Sequence, residues 1–363
     1  MPRDHATSSP HTPVDRAARV PGRTRAVALA AAATLGAALL SACGDSSAST
    51  TSDGLTNVTV GTGGNIFDLP LRLADANGYF RQQGLKVKFV TLTAATGPSA
   101  LQSGSVQFLN DSPTGFLSAL SKGLPETAIA ADGSGNPLGL VVSKKFAQAH
   151  DLTADSPAAT VAKALAGSTG GASSANTKAE AGIFLKAYGV DPDKVKWVSL
   201  PSPAADKAAL NSDQIDWFVT SEPIPLQIQD SGDGVVVADP VKVPQWSAKE
   251  AGYGQFVVVS KSWVTKNSAT AKEFVAAVGK ATGYLKTHLT SSSDKTVLTV
   301  AQKALPGVPA AVLRSSLQQV DWPADGTMSA ADWKLTLAFI DSLGALPKGT
   351  TVSSDDWTNT YLP

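Results

Sequence analysis

The sequence predicts an α/β protein of two layered domains, and three observations carry that expectation. From Val58 onward, short apolar or alternating runs take turns with segments of helical periodicity, as in a sheet covered by helices. The first such group reads strand, helix, strand, a βαβ unit that implies a parallel pair and a right-handed crossover. About 300 residues follow the N-terminal leader, a length that suits two domains of ordinary size.

Residues 1–42 read as an export leader. Arg16, Arg19, Arg23 and Arg25 precede an apolar stretch from Ala26 to Leu40, and Ser41 and Ala42 are small enough for a peptidase to reach the backbone. That stretch is shorter than the roughly 20 residues a membrane span requires. Leu40-Ser41-Ala42-Cys43 resembles a bacterial lipobox. The resemblance implies cleavage before Cys43, acylation of its thiol, and anchoring on the extracytoplasmic face of the cell membrane. Cys43 is the only cysteine, so the mature chain has no disulfide. Residues 43–56, rich in Ser, Thr and Asp, bury too little to fold and are expected to be a flexible tether.

Composition narrows the function. Residues 1–42 hold five Arg and two Asp of the chain's 30 basic and 30 acidic residues, which leaves 25 against 28 in the mature part. No run of Lys and Arg occurs, so nucleic acid is not an expected partner. Only His150 and His288 remain beyond the leader, which disfavours Ser-His-Asp, Cys-His and His-rich metal sites. Gly63-Gly64 and Gly170-Gly171 lack the full dinucleotide fingerprint and its later acidic partner. No cofactor and no metal are expected.

The elements follow in order. Val58–Val60 is a short strand ended by Gly61-Thr62-Gly63-Gly64. Asp68 is a plausible N-cap with Pro70 in the first turn, and Leu69, Leu73, Ala76 and Phe80 repeat at helical spacing. Residues 85–90 alternate apolar and basic, as a half-exposed strand does. A short helix over 99–104, a strand over 106–109, a helix opened by Ser112-Pro113, and strands over 127–131 and 138–143 come next. Ser156-Pro157 starts a helix with Val161 and Leu165 facing inward. Residues 167–175, GSTGGASSA, read as a loop of small residues. Thr177-Lys178-Ala179-Glu180 matches a capping box for a helix through Ile183, Phe184 and Ala187. Strands are expected over 195–200, 215–219, 235–237 and 254–260, and helices over 269–288, 310–319 and 330–343.

Open α/β sheets bind ligands beyond the carboxyl ends of their strands. That rule nominates residues 61–68, 93–98, 110–114, 132–134, 171–177, Ser202 and 220–222, and among them Gly64, Asn65, Asp68, Asn110, Asp111, Ser112, Asp132, Ser173, Ser174, Thr177, Thr220 and Glu222. Three of these loops run into helix N-termini, where free N–H groups and the dipole attract anions or polar groups. Asp68, Ser112 and Thr177 also read as simple helix caps. Trp217 reads as core, whereas Trp246 and Tyr253 are candidates for stacking on a ring. Two carboxylates in a cleft, Asp111 and Glu222, would favour a cationic or amine-bearing ligand. Beyond the leader only Arg72, Arg81 and Arg314 occur, none on a nominated loop, which disfavours an arginine clamp on a carboxylate.

Taken together, the segments Gly78-Tyr79-Phe80…Gly84-Leu85-Lys86-Val87, Ala100–Val106, Ala187–Asp191 leading to Val195–Val198, Ile215-Asp216-Trp217…Ser221-Glu222-Pro223 and Asp356–Asn359 form an ordered series. The series, over about residues 57 to 363, resembles the substrate-binding proteins of the nitrate/sulfonate/taurine and thiamine-pyrimidine ABC importers. The resemblance implies a two-lobed type II periplasmic-binding-protein fold, with mixed sheets flanked by helices and a ligand cleft between the lobes. Lobe one is then residues 57–145 plus 252–363, and lobe two residues 146–251. It also implies a monomer without catalytic activity. Such a monomer delivers a sulfonate, other oxyanion or pyrimidine-like heterocycle to an ABC permease and ATPase. A ligand sensor, or an enzyme like the related pyrimidine synthases, is the alternative. One departure stands out: where the family shows a β-branched strand, this chain has Gly167-Ser168-Thr169-Gly170-Gly171.

Overall fold

A computed structural model of the chain describes residues 54–93, 95–291, 293–344 and 346–363. The leader, Cys43 and most of the tether lie outside the described residues. Thr56, expected in the tether, already pairs with Leu85 in the first strand.

Among the described residues ten strands form two five-stranded sheets. The first sheet holds β1 (Thr56–Thr62), β2 (Leu85–Thr91), β3 (Phe108–Asp111) and β4 (Glu126–Ser134). The second holds β5 (Leu138–Ser143), β6 (Thr169–Ala172), β7 (Lys196–Ser199), β8 (Trp217–Ser221) and β9 (Gly234–Ala238). The last strand, β10 (Tyr253–Ser260), returns to the first sheet, whose order is β2-β1-β3-β10-β4. The second sheet runs β7-β6-β8-β5-β9. Each is mixed: β10 runs antiparallel to β3 and β4, and β5 antiparallel to β8 and β9, while β1–β2 and β6–β7 are parallel.

The chain crosses between sheets at Gly135–Pro137 and returns through Gly252. The two crossings touch, for Gly135 N–H donates to Gly252 O at 2.8 Å and Asn136 N–H to Trp246 O at 2.8 Å. Gly252 has φ +70, and a Cβ there would stand 2.3 Å from Thr336 Oγ1, so only glycine fits. β5 was placed with lobe one by the expected 145/146 boundary; it lies instead in the second sheet.

Most elements fall where periodicity puts them, and three differ for physical reasons. The segment read as a glycine loop contains β6, a central strand. Its small residues are a packing requirement: a Cβ on Gly170 would lie 2.9 Å from the Trp217 ring, and one on Gly171 2.5 Å from Ile215 Cδ1. The following helix starts at Ala175 with Ser174 as N-cap, and the reciprocal box joins Ser174 to Thr177 rather than Thr177 to Glu180. The first helix stops at Ala76, a turn at Asn77-Gly78 intervenes, and Phe80 belongs to a separate short helix, Tyr79–Gln82. Ala76 is therefore exposed rather than inward.

Each sheet carries its own core. In the first, Phe108 stacks on Phe274 of the Ser268–His288 helix, centroids 3.7 Å apart. In the second, Trp217 is fully buried, as expected, and its Nε1–H donates to Ser168 Oγ at 2.8 Å. Burying each such ring contributes roughly 1.5–3 kcal/mol. The C-terminal helix Ala330–Leu343 binds both regions: Trp333 stacks on Phe256 of β10 at 4.6 Å, while Phe339, Ile340 and Leu343 join the second core.

Candidate functional site

The carboxyl ends of β1, β3 and β8 and the start of β10 converge where the two sheets face each other. After β1, Asn65 caps a short 3-10 turn by accepting from Phe67 N–H at 2.9 Å. Asp68, expected to cap the next helix, makes no such bond. It reaches back and accepts from Gly63 and Gly64 N–H at 3.3 and 2.7 Å, fixing the loop from beneath. Burial raises its pKa, and Asp132, fully buried close by, is raised well above the ordinary value by burial and by Asp68.

A cavity of about 250 Å³ lies between the lobes. Asn65, Phe67, Ser112 and Thr114 face it from lobe one, and Asn176, Thr177, Glu180, Ser221 and Glu222 from lobe two. Asn136 of the crossing segment, Tyr253 and Gln255 complete its polar wall, with Ile340 and Leu343 of the C-terminal helix opposite. A second cavity of about 360 Å³, walled by Thr62, Thr91, Thr93, Asn110 and Asp111, shares Asn65, Ser112 and Gln255 with the first.

Two helix N-termini open at these walls. Ser112 Oγ accepts from Gly115 N–H at 3.1 Å, and Ser174 Oγ from Thr177 N–H at 3.1 Å. Against these stand three buried carboxyls. Glu180 accepts from Asn136 Nδ2 at 3.0 Å, and burial pushes its pKa up to about 7. Glu222 accepts from Ser316 Oγ at 3.1 Å and is likewise pushed up to about 7 by burial. Asp111 accepts from Ser112 N–H at 2.8 Å and also rises to about 7 through burial. Among the described residues no Lys, Arg or His lines either cavity. Among the described residues no group of three or more His, Cys, Asp or Glu could hold a metal ion.

The structure brings Asn65, Asn110, Asp111, Ser112, Thr177, Glu222 and Tyr253 to the two cavities. The other nominees stand apart. Gly64 and Asp68 build the loop, Asp132 is sealed beneath it, and Thr220 is buried in the β8 ladder opposite Gly139. Ser173 lies beside the buried Asp206, and Ser174 serves as a cap. Trp246, a stacking candidate, is fully buried near Phe184, centroids 6.3 Å apart, and reaches no ligand space. Tyr253 keeps its place, though its hydroxyl is occupied: it accepts from Ser329 N–H at 2.6 Å and donates to Asp332 at 3.3 Å.

Asn136, Glu180 and Gln255 lie outside the nominated loops, whereas Asn176 lies within the 171–177 loop. Glu180 was assigned to a capping box, yet Asn176, Thr177 and Glu180 recur at helical spacing on one face. Gln255 is the polar residue at the head of an apolar run, Phe256–Val259.

Two mixed sheets flanked by helices, joined by two crossing segments over a polar cleft, define a type II periplasmic-binding-protein fold. Solved structures share it. The aliphatic sulphonate binding protein SsuA from Escherichia coli superposes with a TM-score of 0.65 at 17% identity, covering 84% of this chain and 98% of that one. The ligand binding component of an ABC-type import system from Staphylococcus aureus, with zinc bound, gives 0.63 at 14% identity over 83% of this chain and 95% of that chain. The nitrate-binding protein NrtA from Synechocystis PCC 6803 gives 0.60 at 16% identity, over 82% and 83%. No curated protein matches the chain in sequence. The family model described as NMT1/THI5 like matches residues 68–289, more than half of the chain, which therefore belongs to that family.

Proposed function

We propose that this chain is an extracytoplasmic solute-binding lipoprotein that captures a small molecule between its lobes and delivers it to an ABC permease and ATPase. The observation that carries this reading is the polar cavity walled by both lobes at their two crossing segments. Closure of such lobes about a hinge is a known switching motion, and it presents a closed form to the permease. The Staphylococcus aureus structure, named as the ligand binding component of an ABC-type import system, supports the role. Acylated Cys43 holds the monomer at the membrane; among the described residues no helix is long and apolar enough to cross one.

The chain acts by binding rather than catalysis. His150 and His288, the two imidazoles beyond the leader, line neither cavity. Of the two ligand classes the sequence leaves open, a nitrogen heterocycle fits these walls better than a sulfonate or other oxyanion, because the charged side chains facing the space are carboxyls. A dissociation constant near micromolar, about −8 kcal/mol, suits capture followed by release.

The test is native mass spectrometry of the purified chain for a copurifying small molecule, followed by thermal shift and tryptophan fluorescence across sulfonates, pyrimidines and amines. A bound molecule released on unfolding is expected. A chain that stays empty and unshifted by every class would remove the reading.

A further inference from the structure

We propose that the ligand carries a protonated nitrogen, a primary ammonium or an amidinium, held between Glu222 and Glu180 of the second lobe; this deepens the solute-binding reading and rests on it.

The walls have a surplus of acceptors. Glu222 Oε1, Asn110 Oδ1 and Asp111 Oδ2 are buried without a protein partner, and all three residues line the joined cavities. Glu222 is 2% exposed and Asn110 4%. Asn110 donates its Nδ2 to Phe67 O at 3.1 Å, which leaves the carbonyl oxygen as its free end. The buried side-chain donors without partners, Arg72 Nε and the indole nitrogens of Trp246, Trp263 and Trp333, line neither cavity. Unpaired carboxylate oxygens also occur at Glu126, Asp132 and Asp206, but those face no ligand space. A molecule filling this cleft satisfies those oxygens by donating hydrogen bonds to them.

Charge selects among donors. Among the described residues no basic side chain on the walls offsets the carboxyls. An oxyanion would have to bind beside Glu180 and Glu222 on helix N-termini alone, against like-charge repulsion. A cation instead satisfies the free oxygens and allows both carboxyls to ionise.

The two glutamates are also aimed. Ser316 Oγ holds Glu222 Oε2 at 3.1 Å from the lobe-one helix Ala310–Leu317, which leaves Oε1 without a hydrogen-bond partner. Asn136 Nδ2 holds Glu180 Oε1 at 3.0 Å from the crossing segment.

The experiment is isothermal titration of the intact chain in detergent with two groups of probes. One is a series of primary amines and amidines from methylamine to 1,4-diaminobutane, spermidine and benzamidine; the other is ethanesulfonate and nitrate. At least one cation is expected to bind and to raise the melting temperature, with the anions silent. Glu222→Gln and Glu180→Gln should each weaken that cation at least about tenfold, one pKa-equivalent of interaction. Asp213→Asn, on the exposed surface, should leave it unchanged, and circular dichroism establishes that each variant is folded. Binding of ethanesulfonate or nitrate without any amine, a copurifying ligand lacking a basic nitrogen, or full affinity in both glutamine variants would overturn the cation while leaving solute capture intact. Silence from every probe together with an empty purified chain would overturn both.

Discussion

Ser316 Oγ donates to Glu222 Oε2 at 3.1 Å across 94 residues of sequence, with both side chains buried. Ser316 packs with the first lobe through its helix, whose Leu313 and Leu317 belong to that core, and Glu222 follows β8 of the second. One hydrogen bond to a carboxyl thus joins the lobes at the edge of the cleft. Ser316→Ala should lower stability by about 1.5–3 kcal/mol, the usual worth of a hydrogen bond to a charged group. Urea unfolding at pH 8, where the carboxyl is ionised, measures it; an unchanged midpoint would remove the latch.

Stability should fall as pH rises through neutrality. The Glu180 and Glu222 carboxyls ionise near 4.5 when unfolded, and burial lifts each to about 7 in the folded chain. Between those values the native state holds more protons than the unfolded one, so unfolding becomes easier with increasing pH. The contribution is full below about pH 4.5 and is lost by about pH 8, roughly 3 kcal/mol for each group. Denaturation midpoints at pH 5 and pH 8 test this, and Glu222→Gln should flatten the dependence. A midpoint that rises from pH 5 to pH 8 would contradict it.

If a cation is the ligand, its binding at pH 6 should expel protons, because Glu180 and Glu222 must ionise to pair with it. Titrations in two buffers of different ionisation enthalpy read the number released. Equal heats in both buffers would argue that neither carboxyl changes state.

β6 should reject side chains. Gly171→Val would force new carbon against Ile215 Cδ1, 2.5 Å from the first added atom, and against Asp206 Oδ1 at 3.0 Å. Overpacking of this kind costs about 1–3 kcal/mol. Thermal unfolding checks the loss; a variant as stable as the parent would mean that β6 tolerates a side chain there.

Trp246 and Tyr253 should separate fold from recognition. Trp246→Ala opens a void in the second core and should cost about 3–5 kcal/mol, while Trp246→Phe should leave ligand affinity unchanged. Tyr253→Leu removes the ring from the cleft wall together with the hydroxyl bonds to Ser329 and Asp332, and should weaken binding. Comparing melting temperature with dissociation constant in these variants shows which role each ring plays.

Much of the fold was legible because it depends on local periodicity. The Ser268–His288 and Ala330–Leu343 helices were read within a residue or so, since their apolar positions recur at the helical interval and bounding residues mark the ends. β6 was hidden because strand propensity in a sequence is carried by bulky β-branched residues, and here the bulk sits on its neighbours Trp217, Val195 and Ile215. The site was only partly legible. Loops at strand ends could be nominated from topology, but Asp132 and Glu222 look alike in a sequence. One is sealed beneath the Gly63–Asp68 loop, and the other lines the space between lobes.

By itself the sequence determined the alternation of strands and helices and the scarcity of arginine and histidine, and it predicts a leader ahead of its single cysteine. Each of these is a property of composition or short-range spacing. Tertiary structure alone decided which sheet β5 joins, that Trp246 is core, and that Asn136, Glu180, Glu222 and Ser316 meet around one cleft. Those outcomes depend on contacts between segments far apart in the chain, where burial and the partners left within reach set each side chain's role.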